Sequence, residues 1–144
     1  RGLGAGDKRQ VQPSIPIWVG GSSPGATKRT ALRGDGWHPT GVSSESYSIT
    51  KQEIIQAAAN AGRDPSTMTW STRIEVEMHG RPSSERAASR NSLPGDNPAK
   101  MVADIKAYQG AGVDHIVLAL NSGDVPALKR LMETIAAEVM PEFR

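Results

Sequence analysis

The sequence predicts an α/β fold in which four short strands, each followed by a helix, form one parallel sheet. Two observations carry this. Apolar strand-like runs alternate with segments of helical periodicity in the order βαβαβαβα. Such alternation implies parallel strands joined by right-handed crossovers. Each helical segment is also punctuated, with Ser, Thr, Asn or Asp ahead of it and Gly or Pro behind it. At 144 residues the chain can bury a core of ordinary size. It is short of the roughly 250 residues of a complete (β/α)8 barrel.

Residues 1–14 are polar, carry Gly2, Gly4, Gly6 and Pro13, and read as an extended arm or linker. Residues 15–144 then form the folded unit. The first strand is Ile15-Pro16-Ile17-Trp18-Val19, stopped by Gly20 and Gly21. Ser22 or Ser23 suits the N-cap of the helix that follows, and Pro24 its first position. That helix reaches Arg33 and stops at Gly34. A second, very short strand within Asp35 to Gly41 is closed by Pro39 and Gly41. After a loop from Ser43 to Ser48, Thr50 and Glu53 make a capping box for a helix ending at Gly62.

The third strand, Thr69 to Met78, alternates Trp70, Thr72, Ile74, Val76 and Met78 with Ser71, Arg73, Glu75 and Glu77. Alternation is the pattern of a half-exposed strand, so Arg73, Glu75 and Glu77 read as a solvated face. A polar site or a sheet edge gives the same pattern. His79 to Asn97, with Arg81, Arg86 and Arg90, reads as a long mobile loop. Asn97 caps a third helix, in which Met101, Val102, Ile105 and Tyr108 fall at core spacing. Asp114 to Leu120 is the fourth and most apolar strand. Asp124 caps the last helix; Leu128, Leu131, Met132, Ile135 and Val139 form its buried stripe, and Pro141 stops it.

Composition narrows the function classes. Seventeen Lys+Arg against 15 Asp+Glu leave a formal charge of +2, which argues against a nucleic-acid footprint. With no cysteine there is neither a disulfide framework nor a thiolate metal site. No run approaches the roughly 18 apolar residues of a membrane span, and no signal peptide is visible; the expectation is a cytoplasmic protein. No His/Asp/Glu cluster has metal-ligand spacing. Gly20-Gly21-Ser22 lacks the nucleophile-elbow pattern.

In parallel sheets ligands gather at the C-terminal ends of the strands. Those ends are Gly20 to Ser23, His38 to Gly41, His79 to Arg90, and Asn121 to Asp124. The first is a strand, a glycine turn and a helix N-terminus with free N–H groups, an arrangement suited to a phosphate. An ordinary tight βα turn uses the same residues. His38, beside Trp37, is placed to donate a hydrogen bond or a proton to a substrate and is the one catalytic candidate. A structural histidine fits that position as well. His79 carries less weight, and His115, opening the fourth strand away from the expected site, reads as structural.

Three segments resemble the bacterial-luciferase-like family of flavin- and deazaflavin-dependent monooxygenases and oxidoreductases. They are Pro16 to Ser23, Gly34-Asp35-Gly36-Trp37-His38-Pro39, and Tyr108 with Gly110 to Leu118, followed by a closing Val139 to Arg144. Their order and spacing match the family's C-terminal half. The resemblance implies a (β/α)8 barrel of which this chain is a (β/α)4 half, strands five to eight. It implies an FMN or F420-type deazaflavin cofactor, a small-molecule substrate and oxidoreductase chemistry. It places the cofactor phosphate at Gly20, Gly21, Ser22, Ser23 and Gly25. Relatives that recognise a sugar phosphate carry threonine and lysine after strand six; Pro39 replaces the threonine here, and no lysine follows until Lys51. The family's first four strands hold most of its ring-stacking surface. Without them a half-barrel has unpaired edges, and it is expected to pair with a second copy of itself or with an N-terminal half-barrel. A half-barrel that oligomerises without catalysis, and at most binds a phosphorylated ligand, is the other reading.

Overall fold

A computed structural model of the chain describes residues 15–78 and 91–144. The expected arm (1–14), His79 and the three loop arginines lie outside the described residues. Within them the order is β1 (Trp18–Gly20), α1 (Pro24–Arg33), β2 (Gly36–His38), α2 (Ser44–Asn60), β3 (Thr69–Glu77), β4 (Ser92–Pro94), α3 (Pro98–Gly110), β5 (His115–Ala119) and α4 (Val125–Thr134).

Every strand pair is parallel: β1 with β2, β2 with β3, β3 with β4, and β3 with β5. Backbone parity explains how β3 serves three neighbours. Arg73 N–H donates to Pro39 O at 3.0 Å, and Gly95 N–H to Glu77 O at 3.0 Å. Odd residues of β3 therefore turn their peptide groups toward β2 and β4, which follow one another along the same edge. Asp114 N–H donates to Trp70 O at 2.7 Å, so even residues serve β5. The four expected strands thus lie in the order β1-β2-β3-β5, and β4 is an addition. It falls inside the expected loop, because Ser92-Leu93-Pro94 is too short and too polar to announce a strand.

Side chains of alternate strand residues share a face. Trp37, Trp70, Ile74 and Val76 join Ala31, Tyr47, Ile54, Ala58, Met101, Tyr108, Leu131, Ile135 and Val139 in one buried cluster. Every α-helix contributes to it, so the helices cover that face of the sheet. The other face carries Trp18, His38, Ser71, Arg73, Glu75, His115 and Val117, which the cluster does not include.

Two aspartates set the register by the same device. Asp35 N–H donates to Ile17 O at 2.8 Å while its carboxylate accepts from Ile17 N–H at 2.8 Å. Asp114 repeats this on Trp70, donating at 2.7 Å and accepting at 3.0 Å. Each aspartate closes the N-terminal end of one strand onto its neighbour and leaves the C-terminal ends open. This gives the Gly-Asp and Val-Asp pairs of the sequence motifs a structural reason.

Several boundaries differ from expectation. The first strand shrinks to Trp18–Gly20, leaving Ile15 and Ile17 82% and 63% exposed. Helix α2 begins at Ser44, not at the Thr50 box: Ser43 is its N-cap and accepts from Ser46 N–H at 3.1 Å. The extra turns bury Tyr47. The outer polar set of β3 is not a solvated face, since Glu75 is buried and Arg73 and Glu77 are half-buried. Met132 leaves the expected stripe of α4 and is exposed; Ala127 and Leu131 are the buried members of the helix. Pro141 is not the stop either. The α-helix ends at Thr134, a π turn covers Ile135–Val139, and Pro141 sits in the first turn of a 3-10 helix, Met140–Phe143.

Pro39 creates a gap that the core repairs. By the register of β2 and β3, residue 39 should donate its N–H to the Ser71 carbonyl, and proline has none. The Tyr47 hydroxyl donates to that carbonyl instead, at 3.2 Å, from a fully buried ring. Burial also pushes the Tyr47 phenol well above its ordinary pKa, so it stays a donor. Tyr47→Phe is expected to strand the buried carbonyl and lower stability by about 1–3 kcal/mol in urea unfolding. An unchanged midpoint would show that the Ser71 carbonyl finds water.

Candidate functional site

The C-terminal ends of the strands carry three groups of residues. The first is the turn between β1 and α1. Gly21 sits at φ 90°, a conformation that suits glycine and turns the chain sharply out of the strand. Ser23 is the N-cap of α1; its hydroxyl accepts from Ala26 N–H at 3.3 Å, and Pro24 occupies the first turn. Ala26 and Thr27 also direct their N–H groups to the Ser23 carbonyl, at 2.9 and 3.0 Å. The N–H groups of Ser22, Ser23 and Gly25 have no acceptor among the described residues, and Gly20 to Gly25 are all exposed. Trp37 Nε1–H holds the turn from below, donating to Gly21 O at 2.8 Å. The end of the Arg29 guanidinium lies 3.5 Å from where a Gly25 Cβ would stand. Unsatisfied N–H groups, a helix N-terminus and a cation thus converge on one exposed turn, which fits an anion.

The second group is centred on His38, the last residue of β2. Its Nδ1 is 2.8 Å from Ser71 Oγ on β3. Its ring centroid is 6.0 Å from that of Trp18, which in turn lies 5.9 Å from His115. His115 opens β5 as expected, yet it shares the open face with His38. Burial, then the charges of His115 and Arg73, hold the His38 pKa below its ordinary value. The ring is therefore neutral at neutral pH.

The third group is the polar side of β3, for which a polar site was the alternative to a solvated face. Arg73 and Glu75 form an ion pair at 2.7 Å, with side chains 34% and 10% exposed. Asn121, just beyond β5, donates to the other Glu75 oxygen at 2.6 Å. Further along, Ser92 donates to Glu77. These carboxylates therefore lie inside a network on the open face. The available signal was weak: a parallel strand between two neighbours should be apolar on both faces, and Ser71, Arg73, Glu75 and Glu77 break that rule on one of them. In the sequence Asn121 reads only as part of a strand end and Ser71 only as part of the polar alternation; their partners, 33 residues away for Ser71 and 46 for Asn121, are not legible there.

Lys51 is engaged within the protein. Its ammonium donates to Gly112 O at 2.6 Å and lies 4.9 Å from the centroid of the Trp70 ring, on the helix side of the sheet. Burial holds its pKa below the ordinary value, and Asp114 opposes that shift. No group of three or more metal-ligating side chains occurs among the described residues, and no described helix is long and apolar enough to cross a membrane.

A family model described as luciferase-like monooxygenase matches residues 6–95. No curated protein sequence matches significantly. Solved structures similar to the chain include an F420-dependent secondary alcohol dehydrogenase in complex with an F420–acetone adduct, with TM-score 0.70 and 18% identity over 91% of this chain and 49% of that one. A coenzyme F420-dependent tetrahydromethanopterin reductase from Methanopyrus kandleri gives TM-score 0.66 and 16% identity over 90% and 51%. A riboflavin lyase with modified FMN gives 0.61 and 12% over 90% and 43%. At these identities the likeness is one of fold. The chain spans about half the length of these structures.

Proposed function

The chain belongs to the luciferase-like monooxygenase family, and from that premise we propose that it supplies the cofactor-phosphate-binding half of a (β/α)8 barrel. In this reading β1, β2, β3 and β5 are barrel strands five to eight, and the open sheet face is the barrel interior. The observation that carries the reading is the β1–α1 turn. Gly20, Gly21, Ser22, Ser23 and Gly25 hold the phosphate of FMN or of an F420-type deazaflavin through the N–H groups that the protein leaves unmatched. The bound cofactor supplies hydride or oxygen chemistry to a small-molecule substrate. The chain's own residues bind and orient: the turn fixes the anionic tail, and His38 meets the ligand from the strand end.

The edges support the half-barrel reading. Both outer strands lack a partner on one side among the described residues, and large apolar side chains stand exposed ahead of β1 and on α4. Ile15 and Ile17 immediately precede β1, and Val125 and Met132 of α4 are 70% and 54% exposed. A further (β/α)4 half, from a second copy or from an N-terminal half-barrel, would cover both edges at once.

Titration of the chain with FMN, a deazaflavin and inorganic phosphate tests the turn. Asp keeps the capping function of Ser23, so Ser23→Asp preserves the helix start while placing a negative charge beside the anion. With Ser22→Asp added, affinity for all three probes is expected to fall at least tenfold, the change that about 1.4 kcal/mol of repulsion produces. Equal affinity in the double variant would rule the turn out.

A further inference from the structure

We propose that Ser71 is a positioning residue that fixes His38 as its Nε2–H tautomer, so that the open sheet face presents a neutral hydrogen-bond donor for a carbonyl or anionic oxygen of the ligand. The argument starts from the hydroxyl proton. Ser71 is 0% exposed, and the His38 ring is the sole hydrogen-bond partner of its side chain among the described residues. Two arrangements satisfy the 2.8 Å contact. If Nδ1–H donated to the hydroxyl oxygen, the hydroxyl's own proton would be sealed from water with no acceptor. If the hydroxyl donates to Nδ1, every proton in the pair is used. A buried donor left unmatched is costly enough to weight the second arrangement by about tenfold.

In that arrangement Nδ1 is the acceptor and the single proton of the neutral ring resides on Nε2. Nε2 has no protein partner among the described residues, and the ring lies on the face opposite the helical core. The backbone that holds Ser71 is itself fixed, because the buried Tyr47 hydroxyl donates to its carbonyl. The groups around the ring favour the same state. His115 on β5 and Arg73 on β3 oppose a positive charge on His38, and Glu75 is engaged by Arg73 and Asn121.

The consequence concerns the role of His38. A ring with Nε2–H outward cannot accept a proton from the ligand at that nitrogen. It donates a hydrogen bond to an oxygen that carries or develops negative charge, and it does so without a charge of its own. This assigns His38 to stabilising an oxygen and removes it from the general bases. The ligand part of the inference rests on the reading that the open face is the barrel interior; the tautomer does not.

Imidazole-15N NMR on the ligand-free chain at pH 8 tests the tautomer directly. The chain has three histidines, and His38→Asn identifies the signals of His38. The expected wild-type spectrum has a protonated Nε2 and an unprotonated Nδ1. Ser71→Ala is expected to move both shifts toward the exchange average and to raise the titration midpoint of His38, while the His115 tautomer ratio stays unchanged. Ser71→Thr, which keeps the hydroxyl, is expected to restore the wild-type pattern. A protonated Nδ1 in the wild type would overturn the proposal, as would an unchanged tautomer ratio in Ser71→Ala. If Ser71→Ala fails to fold, the wild-type and Ser71→Thr spectra still decide. A failed FMN titration leaves this result standing, so the two readings fail separately.

Discussion

Trp37→Ala is expected to lower the unfolding free energy by about 3–5 kcal/mol, the range for truncating a large buried aromatic side chain. The indole is 0% exposed and packs on Tyr47 with ring centroids 4.7 Å apart and planes tilted by 32°. Its strand pairs with both β1 and β3, so a cavity there opens between the sheet centre and helix α2. Urea unfolding reads the loss as a lower midpoint at unchanged slope. Trp37→Phe separates packing from hydrogen bonding. It keeps most of the ring but removes the donor to Gly21 O, which holds the β1–α1 turn at 2.8 Å. A smaller stability loss of about 1 kcal/mol is expected from it. Weaker FMN and phosphate binding should accompany that loss, because the turn is no longer tied to the core. Phosphate affinity equal to wild type in Trp37→Phe would show that the turn holds its shape unaided. A loss below about 1.5 kcal/mol in Trp37→Ala would mean that the site collapses to fill the cavity.

What the sequence made legible is local. The Ser23, Asn97 and Asp124 caps each rest on a side chain and an N–H three residues on; the last two form as read, and Ser23 is the one of the two serines offered that caps α1. The βα alternation is also a chain-order property, and with it came the parallel pairing of the four expected strands. The anion-suited turn was legible for the same reason, since Gly21, Ser23 and Pro24 act on their immediate neighbours.

The features that escaped depend on distant partners. Ser43 outcompetes the Thr50–Glu53 box as the start of α2 because the longer helix buries Tyr47 against Trp37 and lets its hydroxyl reach Ser71. Pro39 hides the demand for that hydroxyl, which follows from strand register alone. The polar residues of β3 look like a solvated stripe in isolation. They become hydrogen-bonded groups only when β5 brings Asn121 to Glu75 and β4 brings Ser92 to Glu77. Alternation says that two faces differ; it does not say what stands opposite either one.

Arg63 shows the same limit most strongly, and its removal carries the other large expected effect. In the sequence it opens an ordinary turn, Arg63-Asp64-Pro65-Ser66. In the fold its guanidinium closes the C-terminal end of α1, donating to Thr30 O at 3.1 Å, Ala31 O at 2.9 Å and Gly34 O at 2.7 Å. Carbonyls at a helix end have no intrahelical donor and carry the negative end of the helix dipole, so a planar cation with several N–H groups suits them. Hydrogen bonds to a charged group contribute about 1.5–3 kcal/mol each when counted singly. The three share one side chain that is only partly buried, so Arg63→Ala is expected to cost about 3–4 kcal/mol rather than their sum. Arg63→Lys keeps the charge but lacks the fork that reaches three carbonyls, and about a third of the loss should be recovered. Hydrogen exchange gives the local readout: the Gly34 amide, which donates to Arg29 O and Thr30 O, should exchange faster in both variants. The opposite end of α1 is the Ser23 cap, so a loosened helix should also weaken phosphate binding at the turn. A loss below about 1 kcal/mol in Arg63→Ala, with Gly34 exchange unchanged, would mean that water replaces the guanidinium at no cost and that α1 is held by its packing alone.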